Sequence, residues 1–227
     1  MVSPEAEPYL ASDEAFDALY PEAIQRASRR FWTPVAAARR AAELLRDAGA
    51  RRVLDVGSGA GKMVLVAAAT VPEVQWEGVE LRPHLVLVAR AAQTRLGLTN
   101  VRFTAGDATA ASWEGYDALY FFNTFAENLF SAEEQLDPRA DLTLAEFKRH
   151  VRNADTVLRR APKGFAVATF HGLSGRVPCT YDTAHAELSG TGWLRLWVKS
   201  DRPDDGSFYV ETGATLERHA GPRGGGR

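Results

Sequence analysis

Residues 53–62, VLDVGSGAGK, decide the fold that this sequence predicts. A short apolar run contains an acid, Asp55, and three glycines follow it at alternating positions. We expect Gly57 to permit a tight turn with positive φ, Gly59 to leave room for a ligand against the backbone, and Gly61 to let the next helix pack closely on the strand. The stretch therefore predicts a nucleotide-type cofactor site just beyond the carboxyl end of a buried strand.

The composition is that of one globular domain. The chain has 227 residues, of which 45% are hydrophobic and 25% charged, and its net charge of -2 does not favour a nucleic-acid partner. A single cysteine, Cys179, excludes an internal disulfide and favours a reducing compartment. The acidic N-terminus lacks a signal-peptide pattern, and no apolar run approaches the roughly 18 to 20 residues that cross a membrane. We expect a cytoplasmic protein with neither nucleic acid nor a membrane as partner, and the oligomeric state stays open.

Apolar strands alternate with helical segments along most of the chain. The expected strands are residues 51–57, 74–80, 101–107, 117–123, 163–171, 193–200 and 207–212, and the expected helices among them are residues 60–71, 82–97 and 141–161. Such alternation predicts a parallel sheet with helices on both faces. The turn-rich sequence DRPDDG joins the last two strands, so we expect these two to form an antiparallel C-terminal hairpin at the sheet's edge. The predicted fold class is α/β, with a Rossmann-like, seven-stranded, mostly parallel sheet.

The chain is expected to have three parts. Residues 1–50 look helical and should form a helical N-terminal lid, and residues 51–213 should form the α/β domain. The tail, residues 214–227, is rich in glycine and arginine and has no apolar pattern, so we expect it to be disordered.

Three classes of ligand compete for the glycine-rich loop. A phosphate-binding P-loop requires G-x-x-x-x-G-K-[ST], but Val56 and Met63 occupy two of its fixed positions. A dinucleotide site requires G-x-G-x-x-G, and Lys62 stands where the third glycine should be. S-adenosylmethionine has no phosphate and needs an acid for its ribose diol together with close approach to the backbone. The loop therefore favours S-adenosylmethionine.

Acids at the ends of the next two strands agree with this choice. Glu80 ends the second strand, where a carboxylate can accept hydrogen bonds from both ribose hydroxyls. Asp107 ends the third strand, where a carboxylate can accept the adenine amino hydrogens while the N–H of Ala108 meets a ring nitrogen. Each acid could instead be a solvated loop carboxylate, but both occur in the right order at strand ends.

The pattern D-x-G-x-G-x-G, followed by an acid after the second strand and Gly-Asp after the third, resembles the class I S-adenosylmethionine-dependent methyltransferases. The resemblance covers roughly residues 30–212. It implies methyl transfer from S-adenosylmethionine, with the cofactor held by Asp55, Gly57, Gly59, Gly61, Glu80 and Asp107. N-terminal helices commonly lie over the cofactor in this family, so Thr33 is expected either to contact the methionine carboxylate or to cap its own helix.

The ends of the fourth and fifth strands carry the candidate catalytic residues. Asn123 and Phe125 are similar to the asparagine–aromatic motif of lysine methyltransferases that lack a SET domain, and residues 32–34, WTP, resemble a bacterial subgroup of the family. Asn123 and Phe125 favour a nitrogen acceptor in a small molecule or a protein lysine. His171 could instead be a general base for an oxygen acceptor, or a histidine that bonds within its loop. An NAD(P)-binding oxidoreductase and a nucleotide-binding module without catalysis remain as alternatives of another class, and we expect no metal.

Overall fold

The computed structural model describes residues 6–108, 113–122, 127, 136–137, 142–173, 176–190 and 192–221. The strands are β1 (Arg52–Val56), β2 (Gln75–Glu80), β3 (Val101–Ala105), β4 (Ala118–Phe122), β5 (Ala166–Phe170), β6 (Val177–Pro178), β7 (Tyr181–Ser189), β8 (Gly192–Lys199), β9 (Phe208–Thr212) and β10 (Thr215–His219). The helices are α1 (Asp13–Asp17), α2 (Glu22–Phe31), α3 (Val35–Asp47), α4 (Lys62–Thr70), α5 (Pro83–Arg95) and α6 (Leu144–Arg160), with a short 3-10 helix at Glu7–Leu10.

Seven strands form the main sheet in the order β3-β2-β1-β4-β5-β8-β7. Neighbours among the first five strands are parallel, whereas β8 is antiparallel to β5 and β7 is antiparallel to β8. The strand order reverses direction between β1 and β4, and ligands of open α/β sheets bind beyond the carboxyl ends of strands at such a switch point. The expected fold class, a mostly parallel sheet with an antiparallel hairpin, is confirmed.

Helices cover both faces of this sheet. Successive strand residues point to opposite faces, so Val53 of β1 packs in a core with α3 and α4, and Leu54 packs in a second core with α6. Each of the two buried cores is therefore closed by helices, which explains why β1 and β5 are buried on both sides. No helix in the described ranges is long and apolar enough to span a membrane.

The partner of the hairpin was predicted wrongly. Residues 193–200 were expected to pair with 207–212, but β8 pairs instead with β7 through a turn at Gly190, where φ is +60°. The sequence of β7 is mostly polar because it is an edge strand whose side chains largely face solvent, so no apolar run marks it. Strand β9 belongs to a second, three-stranded antiparallel sheet with the order β10-β9-β6.

Part of the tail is ordered, contrary to the prediction. Strand β10 pairs with β9 in register from Thr215 opposite Thr212 to His219 opposite Phe208. A turn at Gly213, with φ of +58°, joins the two strands, so a hairpin forms without an apolar run in β10. Residues 222–227 lie outside the described residues.

Candidate functional site

The glycine-rich loop follows the carboxyl end of β1, the strand that borders the switch point, and lies against the end of β2. The N–H groups of Gly57 and Ser58 both donate to the carbonyl of Val79, at 2.9 Å each. Gly59 and Gly61 have φ of +55° and +81°, in the left-handed region that favours glycine. The loop therefore has the position and the backbone conformation that its sequence predicts.

The space at Gly59 is filled by the chain itself. A Cβ atom at this position would lie 2.0 Å from Nε1 of Trp32, whose indole packs on the loop and is 5% exposed. A ligand was expected in the space that the missing side chain of Gly59 leaves, but the indole of Trp32 fills that space. A cofactor contact from the Gly59 backbone stays a prediction.

Close packing also explains the third glycine. A Cβ atom at Gly61 would lie 2.6 Å from Cζ of Phe103 in β3 and 2.9 Å from Cβ of Ala89 in α5. We expected Gly61 to let α4 pack closely on the preceding strand, β1. The elements whose side chains require a glycine at this position are instead β3 and α5.

Lys62 stands where a dinucleotide-binding motif has its third glycine, and its side chain forms ion pairs inside the protein. Its ammonium group lies 2.8 Å from a carboxylate oxygen of Asp13, 2.8 Å from one of Asp17 and 3.1 Å from the hydroxyl of Ser28. The Lys62 side chain is only 2% exposed, so the cation is desolvated and relies on these partners. Sequence reasoning missed this role because the partners lie in α1 and α2, far away along the chain. Lys62 thereby fixes the N-terminal helices to the start of α4.

Two further contacts hold the N-terminal helices against the site. The hydroxyl of Tyr20 donates to the carbonyl of Ala60 in the glycine-rich loop at 3.0 Å. The hydroxyl of Thr33, which is 2% exposed, lies 2.8 Å from the hydroxyl of Tyr120 in β4. Thr33 does not cap α3, because that helix begins at Val35 with Pro34 as its N-cap residue. Its contact with a cofactor remains a prediction, and so does the function of the N-terminal helices as a lid.

Asp55 is buried beside a second carboxylate. It lies in β1 opposite Gly78 and Tyr120 and is 5% exposed. Burial, together with the nearby charge of Glu80, raises the pKa of Asp55 to about 8. The Asp55 carboxyl is therefore mostly protonated at neutral pH and can donate a hydrogen bond.

Glu80 is held rigidly at the end of β2. One carboxylate oxygen accepts the N–H of Gly59 at 2.9 Å, and the other accepts the N–H of Arg82 at 2.9 Å. The guanidinium of Arg82 lies 3.4 Å from that second oxygen. A carboxylate has about four lone-pair sites, so Glu80 can accept a further hydrogen bond from a ligand while it keeps these contacts.

Asp107 lies at the expected edge, but its carboxylate is already engaged. One oxygen lies 2.7 Å from Nη2 of Arg149 in α6, and the other lies 3.8 Å from Nε2 of His150. The Asp107 side chain is 29% exposed, so a ligand can still reach it. Ala108 accepts a hydrogen bond from the indole of Trp113 at its carbonyl, at 2.6 Å. Any adenine contact of Asp107 would share the carboxylate with α6.

His171 follows β5 in an unusual backbone conformation. Its φ is +58°, which is costly for a residue with a side chain and is concentrated at functional sites. The ring contacts Phe122 and Phe170 edge-on, with centroids 5.8 Å and 4.6 Å away. Desolvation lowers the pKa of His171 below its ordinary value, so the imidazole is neutral at pH 7. Gly192 faces the ring so closely that a Cβ atom there would lie 2.5 Å from Nε2.

Asn123 and Phe125 lie outside the described residues. They directly follow Phe122, the last residue of β4, which neighbours β5 and His171. Within the described part of the chain, no group of three or more His, Cys, Asp or Glu side chains could hold a metal ion.

A comparison with protein families identifies the domain. Residues 47–168 match the model of a family described as a methyltransferase domain. The chain belongs to this methyltransferase family. Membership confirms the recognition made from the glycine-rich loop and the strand-end acids, and it does not favour the alternative of an oxidoreductase.

The relatives and neighbours of this methyltransferase differ in what they act on. The release factor glutamine methyltransferase of Vibrio cholerae is 30% identical over 142 residues, which are 63% of this chain and 43% of that protein. The RNA methyltransferase from Salinibacter ruber, solved with S-adenosylhomocysteine, has a TM-score of 0.55 at 18% identity and covers 76% of this chain and 96% of its own. A putative O-methyltransferase from Klebsiella pneumoniae has a TM-score of 0.56 at 16% identity and covers 87% of this chain and 90% of its own. The chain spans less than half the length of the curated relatives that it matches. The two structures therefore support the fold.

Proposed function

We propose that this methyltransferase transfers a methyl group from S-adenosylmethionine to an acceptor bound beyond the carboxyl ends of β4 and β5. The observation that carries the proposal is Glu80, a 4% exposed carboxylate fixed by the N–H of Gly59 beside the glycine-rich loop. It is an acceptor-only group with lone pairs left, which suits the hydroxyls of a ribose. When bound, the cofactor supplies an electrophilic methyl carbon that the acceptor attacks as S-adenosylhomocysteine leaves.

The residues of the chain would mainly bind and orient the reactants. Glu80 would hold the ribose, and Asp107 with the Ala108 N–H would meet the adenine at the end of β3. Because Asp55 is protonated, it adds no second negative charge beside Glu80. Both carboxyl groups can therefore be buried in one site without charge repulsion. Orientation of this kind is the main contribution that an enzyme makes to a direct displacement.

A nitrogen acceptor is the first candidate. Asn123 and Phe125 directly follow β4, so the carbonyl of Asn123 could orient an attacking amine and the ring of Phe125 could face a cation. The acceptor would be a small molecule or a protein lysine. The Vibrio cholerae relative, whose name gives glutamine in a release factor, agrees with a protein as acceptor.

An oxygen acceptor is the second candidate, and His171 favours it. A neutral imidazole at the end of β5, in a strained conformation next to Phe122, is suited to remove a proton from a hydroxyl group. The name of the Klebsiella pneumoniae neighbour agrees with this alternative. The RNA methyltransferase from Salinibacter ruber conflicts with the expectation that nucleic acid is not a partner, so RNA belongs among the acceptors to be tested.

Calorimetric titration with S-adenosylhomocysteine tests the proposal. The wild-type protein should bind it and should not bind NAD. Glu80→Gln should weaken binding by about 1–3 kcal/mol, because the amide lacks the negative charge and one of the two acceptor oxygens that bind the ribose. Glu73→Gln, at an exposed position in the turn before β2, is the matched control and should bind as the wild type does. Binding of NAD instead, or equal affinities for both variants, would overturn the assignment of the site.

A further inference from the structure

Arg82 carries a buried hydrogen-bond donor that has no partner among the residues that the structure describes. Its side chain is only 10% exposed and lies between two carboxylates. Nη2 is 2.6 Å from Glu127 and Nη1 is 3.4 Å from Glu80, but Nε has no hydrogen-bond partner among the described residues. Leaving a buried donor unsatisfied is costly, and more so for a charged group. An orphaned guanidinium N–H beside the predicted ribose site therefore needs an explanation.

The two neighbouring groups select the chemistry of a ligand. A carboxylate such as that of Glu80 can only accept hydrogen bonds, and the Nε–H of Arg82 can only donate one. A ligand that satisfies both must donate and accept within a short distance. A hydroxyl group does both, whereas an ammonium group cannot accept and a phosphate would be repelled by Glu80.

We propose that Arg82 is a cofactor-binding residue whose Nε–H donates to a hydroxyl oxygen of the nucleoside diol held by Glu80. The inference rests on the proposed function, because it takes the ligand at Glu80 to be the ribose of S-adenosylmethionine. It adds a second, cationic contact that the glycine and acid motifs do not contain. The diol would then be fixed from both sides, with one group accepting its hydrogen and the other donating to its oxygen.

The same guanidinium also reaches the segment between β4 and α6. Glu127 binds Arg82 with one oxygen and accepts the N–H of Leu136 with the other, at 2.6 Å. Arg82 thus connects the ribose position at the end of β2 to the segment that follows the candidate acceptor residues. Because the proposal assigns the unsatisfied Nε–H to the ribose, replacing Arg82 should affect that contact first.

The experiment compares S-adenosylhomocysteine with its 2′-deoxy and 3′-deoxy analogues by calorimetry. Arg82→Met and Arg82→Lys should bind S-adenosylhomocysteine at least tenfold more weakly than the wild type does. For the analogue that lacks the contacted hydroxyl, the same variants should bind within about twofold of the wild type. Arg102→Met, at an exposed position on β3, is the matched control and should leave all affinities unchanged.

The pattern of losses separates a ribose contact from a structural role. If the variants bind S-adenosylhomocysteine as the wild type does, or lose affinity equally for all three ligands, Arg82 does not contact the diol. Arg82→Lys keeps a cation near the two carboxylates but replaces the guanidinium, with its Nε–H, by an ammonium group, so it tests the contact even if Arg82→Met is unstable. If wild-type protein fails to bind S-adenosylhomocysteine at all, the proposed function fails first, and this inference fails with it.

Discussion

Replacing Lys62 by Met should destabilise the fold by about 3 kcal/mol. Breaking a buried ion pair by removing one partner costs about 3–5 kcal/mol, because the other charge stays buried without compensation. Asp17 is 15% exposed and would remain largely desolvated, although the hydroxyl of Ser28 still donates to it at 2.8 Å. Asp13 is 45% exposed and would be rehydrated, so its share of the loss is small. The expected value therefore lies at the lower end of the range.

Urea unfolding followed by circular dichroism measures this loss. Lys163→Met is the control, because Lys163 is 70% exposed and pairs with Asp201, which is 78% exposed. An exposed pair contributes only about 0–1 kcal/mol. If the two variants lose the same free energy of unfolding within about 0.5 kcal/mol, then Lys62 does not fix the N-terminal helices and the reasoning is refuted.

Three further changes have definite expected outcomes. Gly59→Ala should lower the free energy of unfolding, measured by heat or urea, by at least about 3 kcal/mol, because its Cβ would lie 2.0 Å from Trp32. Gly97→Ala is the control: its Cβ would enter open space, so it should lose only the about 1–2 kcal/mol of left-handed backbone strain. Equal losses in the two variants would contradict the packing at Gly59. The pKa of Asp55 is about 8 in the folded protein and 3.8 ordinarily, so the folded state binds one more proton than the unfolded state between these values. As pH rises from 4 to 8, the free energy of unfolding of the wild type should therefore fall relative to that of Asp55→Asn, by about 3 kcal/mol between pH 5 and 7. A difference between the two proteins that does not change with pH would show that Asp55 is ionised in the fold. The ring of His171 should titrate below its ordinary pKa of 6.5 in a nuclear magnetic resonance titration, because its charged form is desolvated; a pKa at or above 6.5 would remove the neutral base from the site.

The parallel half of the fold could be predicted because its strands are buried on both faces. Strand β5 is buried at every position and β1 at every position except Arg52, and a short, mostly apolar run between helical segments is typical of such a strand. Strand β7 gave no such signal because most of its side chains face solvent. The hairpin partner was therefore assigned to the next recognisable run, β9, which belongs to the other sheet.

The positions of the site residues were predictable, but their contacts were not. Glu80 ends β2 and Asp107 follows β3, so the sheet places both at one edge, as expected. The partners of Lys62 and the indole that fills the space at Gly59 come from the N-terminal helices, and the ion pair of Asp107 comes from α6. Such contacts join segments that are distant in sequence, and no local pattern reports them.

A crystal structure of the protein with S-adenosylhomocysteine tests the central claim most directly. The account predicts that the ribose hydroxyls lie within hydrogen-bonding distance of the Glu80 carboxylate and that the sulfur faces the carboxyl ends of β4 and β5, near His171. A structure in which the ligand binds elsewhere, or in which Glu80 makes no contact with the ribose, would contradict the proposed methyl-donor site.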